Sequence, residues 1–262
     1  MKKTLVLVLF TICNFSLFAL DNPVLKSGAA TSNITPSLGG YLVGEWVPTP
    51  AEHIHDELHA RCLVLDDGTT QLLFVVVDNL GIPREVYDAA KNKISKKTGI
   101  PVENMMMSAT HTHTSVSARF SHILKVEDEF TEYQKLLISK IYDGAIRAYN
   151  NLAPAQIAWG AESEPRYTFN RRWQLNPNTH EKYLRNPFGG VDKVRMNPGG
   201  VSPDDFIKSG PVDDKVSFLT IQSITGKPIS LLANYSTHYA PTRAKIPTIS
   251  ADYYGMFVNK IK

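Results

Sequence analysis

Residues 71–110 carry the pattern that constrains this chain most. Leu72-Leu73-Phe74-Val75-Val76-Val77 is an unbroken apolar run, the composition expected of a strand covered on both faces. Pro83 then opens a helix predicted to reach Thr98, with Gly99 as its stop. Val86, Ala89, Ala90 and Ile94 give that helix a buried stripe. A second strand is predicted from Asn104 to Thr110. Strand, helix and strand in this order require two parallel strands joined by a right-handed crossover. Their carboxyl ends, at Asp78 and His111, then share one edge of a sheet, where ligand crevices form.

The flanking sequence extends this unit into a mixed α/β fold, with mixed β-sheets and flanking helices. Gly28 to Thr35 reads as an entry strand, and Arg61 to Leu65 pairs with the apolar run through the turn Asp66-Asp67-Gly68. Phe130 to Asn150 has helical spacing at Leu136, Leu137, Ile141, Ala145 and Tyr149. Ala155 to Glu162 and Val216 to Ser223 read as strands, and Ile229 to Ser236 pairs with the latter through Thr225-Gly226-Lys227. Pro165 to Asp214 shows no period. Its aromatic residues Tyr167, Phe169, Trp173, Tyr183 and Phe188 predict a packed lid. Ser250 is positioned to cap a last helix over Tyr253 to Lys262.

Composition removes several function classes. Of 262 residues, 43% are hydrophobic and 20% charged, which supports a core and excludes general disorder. A formal charge of +3 with interspersed signs gives no basic face for nucleic acid. Two cysteines cannot form a disulfide scaffold, and no repeat of about 20–50 residues marks a solenoid or propeller.

Residues 1–20 read as a signal peptide. Lys2 and Lys3 precede an apolar run from Thr4 to Leu20, and the small residue Ala19 stands just before Asp21-Asn22-Pro23. The rival is an N-terminal membrane anchor, for which the run is barely long enough. Cleavage implies a secreted or periplasmic protein comprising residues 21–262 and carrying a charge of about +1. Cys62 is then without an internal cysteine partner and is assigned to the core. The last motif breaks off near Lys262, so a longer protein is expected.

Histidine spacing carries the chemistry. His111-Thr112-His113 directly follows a predicted strand, and residues i and i+2 of an extended chain share one face. His238 ends another predicted strand, from which it could add a ligand as a neighbour. Imidazole suits zinc, and the strand-edge position favours a metal site over a satisfied core pair. His53-Ile54-His55, with His59 beyond it, sits in a polar stretch and reads as a solvated or packed loop, with a rival metal site as the alternative. Asp78 either orients a ligand histidine or caps the following loop. A metallo-β-lactamase pattern would need Asp and His where Thr114-Ser115-Val116 stands. A barrel amidohydrolase would place its pair on the first strand.

Six stretches in order resemble the N-terminal domain of the neutral/alkaline non-lysosomal ceramidases. They are residues 28–36 (GAATSNITP), 55–68 (HDELHARCLVLDDG), 108–115 (SATHTHTS), 169–171 (FNR), 234–238 (NYSTH) and 250–255 (SADYYG). The resemblance implies a partial ceramidase-like catalytic domain over 21–262, with His111 and His238 as zinc ligands. It implies that His113 faces the substrate and that Arg171 lies in the active site. On chemistry alone Arg172 is an equal candidate. The family completes its zinc shell with a glutamate and a tyrosine farther downstream than this chain reaches. Thr114-Ser115 departs from the usual continuation of the histidine motif. The activity implied is hydrolysis of a small-molecule or lipid amide of the N-acylsphingosine type, with membrane-surface contact through the substrate. The rivals are the same fold acting on a non-sphingolipid amide, and a truncated, non-catalytic binding domain.

Overall fold

The computed structural model describes residues 24–42, 44, 47–118, 129–178, 186–197, 202–238 and 245–262. The predicted signal peptide, with Cys13, and Tyr183 lie outside the described residues. The chain opens with β1 (Lys26–Asn33), followed by the short β2 (Tyr41–Leu42), β3 (Thr49–Pro50) and β4 (His53–Ile54). Next come β5 (His59–Asp66) and β6 (Gln71–Val77), paired antiparallel. Their turn forms as the sequence requires. Asp67 accepts the amides of Thr69 and Thr70, and Gly68 takes φ +85°.

Helix α1 (Arg84–Thr98) starts after Pro83 and stops at Gly99, whose left-handed backbone returns its N–H to the Ser95 carbonyl. Strand β7 (Met105–Ala109) lies parallel to β6, with Leu73 opposite Met105 and Val77 opposite Ala109. Helix α2 (Glu132–Asn150) begins with a reciprocal Thr131–Gln134 capping box. Both helices pack on one face of the sheet, where Leu73, Val75 and Val77 meet Val86, Ile94, Leu137 and Ile141. The other face of β6 departs from expectation. Leu72, Phe74 and Val76 are only partly buried, and Phe74 and Val76 line a cavity. Cys62 is buried in the helix-side core as predicted.

Strand β8 (Ala153–Ser163) leads into the segment expected to be an aromatic lid. That segment instead forms a small antiparallel sheet of β9 (Arg172–Leu175), β10 (Val194–Met196) and β11 (Phe206–Ser209), with β9 in the middle. Trp173 stands edge-on to Phe206 at 6.1 Å, but Phe169 and Phe188 are 80% and 96% exposed. Strands of three or four residues are too short to show a period, and their backbone pairing leaves these rings outside.

Strands β12 (Lys215–Ser223) and β13 (Pro228–Tyr235) form the predicted hairpin. The main sheet has the order β13-β12-β8-β1-β5-β6-β7, antiparallel except for β6–β7. Twist accumulated over seven strands curls this sheet until its two edge strands line one cavity. Strand β14 (Thr248–Ile249) pairs parallel with β4, and helix α3 (Asp252–Ile261) follows it. The N-cap is Ala251 and not the expected Ser250, which stands one residue earlier and accepts the Asp252 amide at 2.9 Å. No helix among the described residues is long and apolar enough to cross a membrane.

Candidate active site

The histidines converge by a different route from the one the sequence suggests. β7 ends at Ala109, and His111 has φ +64°, so the pair sits on a turn and not on one face of an extended strand. His238 does not come from a neighbouring strand either. It follows β13, at the opposite edge of the sheet from β7, and reaches the site because the sheet curls. The rings form a near-equilateral triangle, with centroids 4.9 Å apart for His111–His113, 5.3 Å for His111–His238 and 5.0 Å for His113–His238. Each contributes a ring nitrogen, and these atoms lie within 4.8 Å of one another. His53, His55 and His59 join no such cluster among the described residues. His53 lies in the exposed β4 edge, and the His55 amide bonds the Ile249 carbonyl.

One tautomer is fixed by the backbone. His111 Nδ1 lies 2.7 Å from the Leu80 carbonyl oxygen, which can only accept, so Nδ1 carries the proton. Nε2 keeps its lone pair, the form a metal ligand needs. Asp78 does not supply this support. It is fully buried, accepting from Arg61 Nη1 at 2.7 Å and from the His59 amide at 2.9 Å. Burial pushes its carboxyl above the ordinary range, and the Arg61 bond opposes that shift. The carbonyl that orients His111 is invisible to side-chain motifs.

Arg171 and Arg172 separate once folded. Burial lowers the His238 pKa first, and the charges of His111 and Arg171 lower it further. Arg171 therefore acts on the histidine cluster, whereas Arg172 begins β9 and pairs its backbone with Met196 and Gly210. The Arg171 segment is tied to the His238 turn, since Thr237 Oγ1 donates to the Tyr167 carbonyl at 2.8 Å.

The cluster borders a cavity of about 560 Å³. Leu63, Phe74, Val76, Met106, Leu232 and Phe257 make its wall mainly apolar, and His111 and His238 belong to its lining. Tyr253 and Tyr254, read from sequence only as helix, also line it, their rings 4.0 Å apart. Burial raises both phenol pKa values, so both remain neutral donors.

The sequence model of neutral/alkaline non-lysosomal ceramidase, N-terminal, matches residues 39–260. The chain belongs to this family. Two solved structures share its fold, neutral ceramidase from Pseudomonas aeruginosa and a ceramidase complexed with C2. Each is 19% identical with a TM-score of 0.61, covering 88% and 87% of this chain respectively. They are matched over 35% and 33% of their own lengths, so this ceramidase-family chain spans about a third of each.

Proposed function

We propose that this chain forms the histidine half of a zinc-dependent amidohydrolase site that cleaves lipid amides of the ceramide type. The observation that carries the reading is the convergence of His111, His113 and His238, two of which, His111 and His238, line a mainly apolar cavity. The donor set suits zinc, since neutral imidazoles are among its preferred ligands and the Leu80 bond leaves His111 Nε2 available. Zinc, when bound, supplies Lewis acidity towards an amide carbonyl.

His111 and His238 hold the ion in this reading, and His113 faces the substrate. Arg171 brings a guanidinium, whose planar donors suit an oxyanion, and stabilises the negative charge that develops on the carbonyl oxygen. The apolar wall takes a hydrocarbon chain of the substrate, and the water that hydrolysis consumes enters on the histidine side. The spacing of the rings favours a second arrangement, in which His113 is a third ligand, since it lies as close to each partner as they lie to one another.

The test is fatty-acid release from N-acylsphingosine by the full-length protein, before and after chelation and with zinc restored. Activity lost and regained with zinc supports the reading. Cleavage of N-acyl amino acids but not N-acylsphingosine would move it to the non-sphingolipid rival, and no cleavage of either would favour the binding domain. We also propose that the protein is exported, its mature N-terminus falling near Ala19 to Asn22. Recovery of Met1 from exported protein would contradict this.

A further inference from the structure

His111 is a non-glycine residue in the left-handed region, a conformation that persists only where the surroundings impose it. One side of its turn is held by the strand edge, through the His111 amide to the Asn79 carbonyl at 2.9 Å and Nδ1 to Leu80. The other side is held by Ser250. Its carbonyl accepts Thr112 Oγ1 at 3.2 Å and Thr114 Oγ1 at 3.0 Å, and its amide donates to the Thr114 carbonyl at 2.8 Å. Three bonds from one residue therefore bracket His113.

Ser250 is in turn fixed by Asp56. The Asp56 carboxylate accepts from Ser250 Oγ and, at 2.9 Å, from the Ala251 amide. Asp56 comes from the segment next to β4, which is zipped to residues 247–249 by the parallel β4–β14 pair and the His55 bond to Ile249. Gly255 makes room for the carboxylate. A Cβ there would lie 3.0 Å from Asp56 Oδ2 and 2.9 Å from the Ala251 Cβ.

We propose that Asp56 is a positioning residue of the histidine site, acting through Ser250 to hold the 111–114 turn in its strained, converged form. The proposal rests on the metal-site reading for its consequence but not for its geometry. An acceptor of two donors is required. Asparagine would set its amide N–H₂ against one of them, and alanine removes both bonds.

The test uses the metal-free protein and its Co²⁺ complex, comparing wild type, Asp56→Ala and Gly255→Ala. Gly255→Ala improves helix propensity, so any loss it causes comes from the added Cβ, which meets both the Asp56 carboxylate and the Ala251 Cβ, and Asp56→Ala isolates the carboxylate. Both variants are expected to speed amide exchange at His111 at least about tenfold, with Val75 in β6 unchanged as the control for folding. Co²⁺ affinity is expected to fall about ten- to hundredfold, the usual effect of losing support behind a metal ligand. If only the amides of residues 250–252 exchange faster, while His111 protection and Co²⁺ affinity stay at wild-type levels, Asp56 merely caps α3 and the proposal fails. If wild type binds no Co²⁺, the metal reading fails, and faster His111 exchange still supports the positioning role.

Discussion

His111 and His238 stand 5.3 Å apart, ring centroid to ring centroid, although they follow strands at opposite edges of a seven-stranded sheet. The site thus depends on the curl of the whole sheet, and the two residues report on it jointly. The Arg171 charge acts on His238 of this pair.

Arg171→Gln should reduce turnover of an N-acyl lipid by about a hundredfold or more, as removal of an oxyanion-stabilising donor does. Arg172→Gln should have little effect. In metal-free protein the same Arg171 change should raise the His238 pKa, because the arginine charge now holds it down. Imidazole NMR titration measures this shift, and an unchanged or lowered value would separate Arg171 from the site.

Gly44→Ala should disturb the histidine turn directly. The added Cβ would stand 2.1 Å from the His113 carbonyl oxygen and 2.4 Å from its Cα. Overpacking of this kind costs about 1–3 kcal/mol. Thermal unfolding with metal analysis should show lower stability together with lower zinc uptake.

Cys62 should be inert. Burial pushes its thiol up to about 12, with the Arg147 charge opposing. In protein lacking residues 1–20 it is the sole cysteine. It should resist a thiol reagent at pH 8 and react once the chain is unfolded. The raised value also carries a stability sign. The unfolded thiol ionises above its ordinary 9.0 while the folded one keeps its proton, so stability is lost as pH rises from 9 towards 12.

Leu137→Ala, at a fully buried position of α2, should destabilise by about 2–5 kcal/mol. Zinc binding of the folded fraction should be unchanged. Denaturant unfolding read beside metal content checks both halves of this expectation.

Much of the fold was legible because local chemistry decides it. Pro83 and Gly99 bound α1, the apolar spacing of Leu137, Ile141 and Ala145 marks α2, and Asp67-Gly68 turns β5 into β6. The crossover then put Asp78 and His111 on one edge without further information. Other features depend on non-local or backbone geometry. The curl that delivers His238 is a sum of small twists over seven strands, and no window of sequence records it. The left-handed His111 and the Leu80 carbonyl beneath its ring are backbone features that carry no residue signature. Asp56 lay inside a resembling stretch, but its partners Ser250 and Ala251 are almost two hundred residues away.

The most direct test of the central claim is the zinc content of three single variants in the full-length protein. His111→Ala and His238→Ala should each lose the ion along with activity, since each removes a ligand. His113→Ala should keep most of its zinc while turnover falls by about a hundredfold. Equal zinc loss in all three would make His113 a ligand and overturn its substrate-facing role. Full zinc in the His111 and His238 variants would contradict the metal site itself.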